Sequence, residues 1–187
     1  MPRFPRLSQL LTILASATSR DVRSSDQLTQ AADADYLRQR LRLEFESGKG
    51  DCSVLMLDID GFHLINRDYG RREGDRVLQA VTQLLMLNLR STDLLCRYAG
   101  DRFAVLLPGT QADAAQALGH HLRRAVGTLR HHAQHGGEPV MPTMRYVFRS
   151  VDADPRQLLK ELNRSLERRM SYATNETEFT PGAAVRA

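Results

Sequence analysis

A chain of 187 residues with 42% apolar content can bury one sizeable core and leaves too little for a second ordinary domain. Its net charge of +4, carried largely by Arg, suits an anionic partner without requiring one. No apolar run is long enough to span a bilayer, and Cys52 and Cys96 lack metal-type spacing and read as a reduced pair, so a cytoplasmic protein is the expectation.

Residues 1–25 read as a helical leader, because Leu7, Leu10, Leu11 and Leu14 recur at helical spacing before TSRDVRSSD interrupts them. The segment shares features with a secretory signal, but its apolar run is short, and a helix packing on the domain or on a partner is expected. A helix is predicted over 33–48, with Tyr36, Leu37, Leu41, Leu43 and Phe45 as its apolar face. CSVLMLDI, bounded by Gly50 and Gly61, reads as a strand covered on both faces and therefore as the central one.

Val77, Leu78, Val81, Leu84, Leu85 and Leu89 share one side of a helix running from Arg72 to Leu89. DLLCRY and FAVLLP are short strands joined by AGDR, and Gly-Asp in so short a connection signals a hairpin. A helix over 111–127, a basic loop rich in His and Gly, a strand at MRYVFRS and a last helix from Pro155 to about Tyr172 complete a domain over 26–175. Residues 176–187 have little to bury and are expected to be a mobile tail. This order of elements predicts an α+β domain, a sheet with helices packed on it.

Asp58 and Asp60 leave one face of the central strand at its end, where paired carboxylates can hold a divalent cation. Asp before Gly is also a routine turn former. The AGD turn strengthens the first reading, because beside that strand it would bring Asp101 to the same point.

Four stretches occur in order: DQLT from Asp26, LDIDGFHLIN, YGRREGDRVL and DLLCRYAGDRFAVLLPGT. They are similar to the DxLT, LDIDxFKxIN, GHxxGDxVL and signature hairpin of the GGDEF domains, which make cyclic di-GMP from two GTP molecules. The resemblance runs from Asp26 to about Asn175. It implies a nucleotide-cyclase palm-like fold, with a mostly antiparallel central sheet flanked by helices. It also implies that Asp58 and Asp101 hold the metal, Mg²⁺, with Asp101 catalytic, and that Asn66 and Asp75 read the guanine edge. An amide offers that edge a donor and an acceptor, and a carboxylate accepts its N–H groups. Phe62, His63 and Gly100 would cradle the phosphates, Gly100 by letting the backbone approach closely. His63 stands where the family has Lys.

The chain departs from the pattern at several points. Arg102 replaces the family's Glu, a change of two charge units beside the cation position; two like charges about 5 Å apart repel by roughly 3 kcal/mol at an effective dielectric near 20. Met170 and Thr174 stand where the last helix of the family carries Lys and Arg for phosphates. The SIG-type strand is unrecognisable in PTMRYVFRSV, and Asp33-Ala34-Asp35 replaces the NR(R) after DxLT. These losses imply weakened Mg²⁺ binding and a catalytically inactive domain.

RSTD, Arg90 to Asp93, lies nine residues before Ala99, where the family's RxxD product-inhibition site belongs. Arg can donate twice to guanine O6 and N7, and Asp can accept from the Watson–Crick edge. Zinc at His120, His121, His131 and His135 is not expected, because Gly-Gly and Arg residues around them read as a solvated loop. The basic residues near 122–130 lack an aromatic platform, so a nucleic-acid polymer is not expected either.

The resulting expectation is a degenerate domain that receives cyclic di-GMP at Arg90 and Asp93 and contacts a protein partner or a second copy, with GTP as a further candidate ligand. A working diguanylate cyclase and a nucleotide-free interaction scaffold stay open as alternatives.

Overall fold

CSVLMLDI forms strand β1, Cys52–Ile59, buried along its whole length. In the computed structural model, which describes residues 25–48, 50–133 and 139–176 with the backbone alone over 169–176, this strand is the centre of the fold. The predicted leader and tail fall outside the described residues apart from Ser25 and Glu176, and His135 does so as well.

β1 pairs antiparallel with β3, Arg102–Pro108, on one side and with β4, Met144–Ser150, on the other. β2, Leu94–Ala99, lies beyond β3, giving a four-stranded sheet of order β2-β3-β1-β4 in which every pairing is antiparallel. A strand flanked on both sides and covered on both faces has no polar side, which is why its sequence is a continuous apolar run.

Successive side chains of β1 point to opposite layers. Leu55, Leu57 and Ile59 join a core with Ile65, Val77, Val81, Leu85, Leu122 and Val126. These come from α2 (Phe62–Tyr69), α3 (Arg71–Leu87) and α4 (Ala112–Gly127), once α1 is set at Ala34–Ser47. Val54 and Met56 face the other core, where Leu37 and Leu41 of α1 meet Leu158, Leu162 and Leu166 of α5, Pro155–Glu176.

Local chemistry explains the element ends. Asp33 caps α1 by accepting the Tyr36 N–H at 2.9 Å, so the stretch that departs from the family's NR(R) serves as a helix start. Asp26 accepts from the N–H and hydroxyl of Thr29 at 2.9 and 2.7 Å and from Arg97 at 3.0 Å. Ala32 N–H donates to Leu95 O and Arg97 N–H to Ala32 O, so the DQLT segment covers the open edge of β2.

One boundary differs from expectation, and one helix was not expected. α3 ends at Leu87, two residues before the predicted Leu89, where Asn88 turns its N–H onto Leu85 O. Phe62 and His63, for which no element was predicted, open α2, an eight-residue helix between Gly61 and Gly70 at φ 61° and 84°. Two turns of helix are too short to display a period.

Candidate functional site

The register places Asp58 directly opposite Arg102 on β3 and Arg145 on β4. Asp58 is 3% exposed, so its charge needs partners. Arg145 supplies one with two nitrogens, Nε at 2.9 Å and Nη2 at 2.5 Å from Asp58 Oδ2, while its Nη1 lies 3.1 Å from Asp60 Oδ1. Arg102 supplies the other, with Nε 3.4 Å from Asp58 Oδ1. Asp60 is fixed further by the Thr143 hydroxyl, which donates to its Oδ2 at 2.8 Å.

Arg102 also reaches the last helix. Its Nη1 lies 3.3 Å from Asn163 Oδ1 and 3.3 Å from Glu167 Oε1. Asn163 in turn donates to the Tyr98 hydroxyl at 3.1 Å. The residue standing in place of the family's Glu therefore ties the central strand, the hairpin and α5 together.

Asp101 sits in the hairpin turn after Gly100, whose φ of 60° is the left-handed conformation that glycine adopts without strain. Burial raises the pKa of the Asp101 carboxyl above the ordinary carboxylate range, and the neighbouring Asp58 charge adds to the rise. Asp58 and Asp60 lie at the end of β1 and Asp101 in the hairpin turn beside it, but among the described residues no three such side chains are placed to hold one metal ion. The guanidinium groups of Arg102 and Arg145 lie at the same end of the sheet.

A divalent cation has to find free carboxylate oxygens. Both oxygens of Asp58 already face guanidinium nitrogens, and a cation beside them would meet two fixed positive charges. At about 5 Å each costs a divalent cation roughly 7 kcal/mol at an effective dielectric near 20. The donor set in this arrangement does not fit the Mg²⁺ that the family resemblance implies.

Arg145 is the functional position that sequence reasoning missed. The signal was present: Met144 and Tyr146 belong to one core and Val147 to the other, so Arg145 falls on an inward face. A charge there demands a buried counter-charge.

The proposed base-reading residues lie together on the opposite layer. The Asn66 amide oxygen packs so closely on α3 that a Cβ at Gly74 would come within 1.9 Å of it, with Phe62 Cζ at 3.2 Å. Asp75 follows Gly74 and is exposed, and His63 is exposed on the first turn of α2.

RSTD folds as a compact turn. The Arg90 N–H donates to Asp93 Oδ2 at 2.8 Å, and the Asp93 N–H donates to Arg90 O at 3.0 Å. The Arg90 residue is exposed, whereas Asp93 Oδ1 is buried and has no hydrogen-bond partner among the described residues. Three of the histidines have structural partners. His121 meets Asn88 Oδ1 at 2.8 Å, His131 meets Glu73 Oε2 at 2.9 Å, and His120 packs edge-on against Tyr146.

The family model described as diguanylate cyclase, GGDEF domain, matches residues 23–177. The diguanylate cyclase DgcP of Pseudomonas aeruginosa is 37% identical over 114 residues, which is 61% of this chain and 16% of that protein. The response regulator PleD of Caulobacter vibrioides is 32% identical over 123 residues, 64% of this chain and 27% of that protein. The chain spans less than a third of the length of these curated relatives. Among solved structures, the diguanylate cyclase SiaD of Pseudomonas aeruginosa, in complex with its activator SiaC, superposes with a TM-score of 0.76 at 26% identity, covering 88% of this chain and 65% of that one. The coiled coil and GGDEF domain of DgcB from Caulobacter crescentus, in complex with c-di-GMP, gives 0.73 at 20% identity over 86% of each chain, a likeness of fold.

Proposed function

Because the chain belongs to the GGDEF domain family, we propose that it is a non-catalytic member that receives cyclic di-GMP at Arg90 and Asp93 rather than making it. The observation that carries this reading is the pair of guanidinium groups on Asp58. They occupy the carboxylate that a catalytic cation would use. All three guanidinium nitrogens of Arg145, and Nε and Nη1 of Arg102, lie against Asp58, Asp60, Asn163 or Glu167, which holds both groups away from a triphosphate in the cation's place.

The RSTD turn is in the opposite condition. Arg90 has no acidic side chain holding its guanidinium among the described residues, and Asp93 Oδ1, buried within the turn, has no hydrogen-bond partner among them, so a ligand would have to open the turn to reach it. With the turn open, Arg90 can donate to guanine O6 and N7 while Asp93 accepts from N1 and N2. The bound dinucleotide would then alter a contact with a protein partner or with a second copy of the chain; SiaD, which does bind an activator protein, is a precedent within the family.

One observation favours the cyclase alternative. The hairpin turn that carries Asp101 lies against the end of β1, where Ile59 N–H donates to Asp101 O at 3.4 Å, and the Asp101 carboxyl feels the charge of Asp58. Calorimetry with cyclic di-GMP tests the receptor reading. Saturable binding is expected, weakened about tenfold or more by Arg90→Ala through the loss of a charge-assisted pair. Binding that Arg90→Ala leaves unchanged would discard the assignment.

A further inference from the structure

α5 carries Arg156, Lys160 and Arg164 one turn apart on its exposed side, over about 12 Å of helix at 1.5 Å per residue. They border a cleft of about 390 Å³ between α5 and α1, with Arg38 on the facing wall and Tyr98 and Asn163 within it. Arg38 stands over the Tyr98 ring, 6.0 Å from its centroid.

Some exposed cations of the described residues have a carboxylate beside them: Arg38 pairs with Asp35, Arg42 with Glu46, Arg67 with Asp68 and Arg149 with Glu161. Arg156, Lys160 and Arg164 do not, among the described residues. Glu167, the acidic residue on the cleft's edge, is 3.3 Å from Arg102 and so is turned to the Asp58 cluster. The α5 wall of the cleft therefore carries three cations in a row with no carboxylate beside them among the described residues, while Arg38 on the facing wall is paired with Asp35. The volume of the cleft lies in the range of small-ligand sites.

We propose that this α1–α5 cleft is an oligophosphate site, in which Arg156, Lys160 and Arg164 hold successive phosphate groups. Arg binds phosphate through paired donors and Lys as a point charge. A single phosphate could engage one or two of the three cations, whereas an oligophosphate spans the row. Inorganic oligophosphate and a nucleoside triphosphate share this chemistry, and the Tyr98 ring with Arg38 above it offers a place beside which a planar base can pack. The site is separate from Arg90 and Asp93 and stands apart from the cyclic di-GMP reading. It is also separate from positions 170 and 174 farther along α5. Asn163 joins it to Arg102, at 3.3 Å, so occupancy bears on the hairpin through one side chain.

The test is calorimetry on the full chain with sodium tripolyphosphate and, separately, ATP, both in EDTA. One saturable site is expected. The triple variant R156Q/K160Q/R164Q should lose about a hundredfold in affinity and Lys160→Gln alone about tenfold, while Arg90→Ala and R123Q/R124Q, on α4, change it little. Thermal melts of each variant establish that it is folded, and the single substitution, at an exposed position, serves if the triple one is not. ATP binding more tightly than tripolyphosphate assigns the nucleotide as occupant; equal affinity assigns the inorganic chain. Absence of saturable heat at millimolar ligand, or an equal loss in R123Q/R124Q, would overturn the proposal.

Discussion

Arg145 and Arg102 compete for no shared oxygen: each takes its own side of the Asp58 carboxylate. Removing one leaves a nearly buried charge half compensated. Breaking a buried pair outright costs about 3–5 kcal/mol, so with one partner remaining Arg145→Ser should cost about 2–3 kcal/mol in urea unfolding. An unchanged midpoint would mean that the ladder is not a structural element. Arg102→Glu should cost at least as much, because it places a further carboxylate by Asp58 and Asp101 and surrenders Asn163 and Glu167 on α5.

Two carboxylates should respond to pH in opposite senses. The folded pKa of Asp101 lies above its unfolded value, because of burial and then the charge of Asp58. Ionising it therefore costs stability at neutral pH, and the cost disappears as pH falls below about 3.9. Asp101→Asn should melt higher than the native chain at pH 7, the gap closing toward pH 3. For Asp26, burial opposes ionisation, but the hydrogen bonds from Thr29 and the pairing with Arg97 prevail and lower its pKa. Its contribution is present above about 3.9 and is lost as pH falls through the lower folded value. Asp26→Asn should melt lower at pH 7 and match the native chain in acid; thermal melts across this range check both signs.

At the level of elements, the packing of α4 on β4 has little tolerance. A Cβ at Gly119 would lie 2.3 Å from Tyr146 Cε2, and that ring is held by its hydroxyl, which donates to Gln116 O at 3.3 Å. Gly119→Ala should cost about 1–3 kcal/mol, the range for overpacking a core, in the same denaturation experiment; a neutral result would show that α4 slides freely on the strand.

The elements legible in the sequence are those whose patterns are long or whose turn chemistry is distinctive. β1 announced itself by eight apolar or inward positions in a row, and the β2–β3 hairpin by Gly100-Asp101 between two apolar runs. α2 was not legible, because eight residues between two glycines show no period. At the site, Asp58, Asp60 and Asp101 could be placed beside the end of β1 from their spacing. For Arg145 the alternation of its strand marks an inward face, but its partner could not be named, since Asp58 is 87 residues away and joins it only through the pairing of β4 with β1. Arg102 was recognised as a misplaced charge, but its grip on Asn163 and Glu167 depends on how α5 crosses the sheet.

On the scale of the whole molecule, two cores share one antiparallel sheet, and both cysteines lie in the layer between the sheet and helices α1 and α5. Burial pushes the Cys52 thiol up to about 11 and the Cys96 thiol up to about 12. Both should be neutral and shielded in the folded protein, so a thiol reagent at pH 8 should react slowly until denaturant is added and then titrate two thiols. Rapid native reaction would place the cysteines outside the core.

The family fold is kept around a site whose charge has been rearranged, and the same sheet that carries Arg102, Asp58 and Arg145 also orders the RSTD turn before β2. Incubation of the chain with GTP and Mn²⁺, followed by chromatography of the products, tests the guanidinium lock most directly. No cyclic di-GMP should form. Cyclic di-GMP that forms with the native chain and is lost with Asp101→Ala would contradict the account.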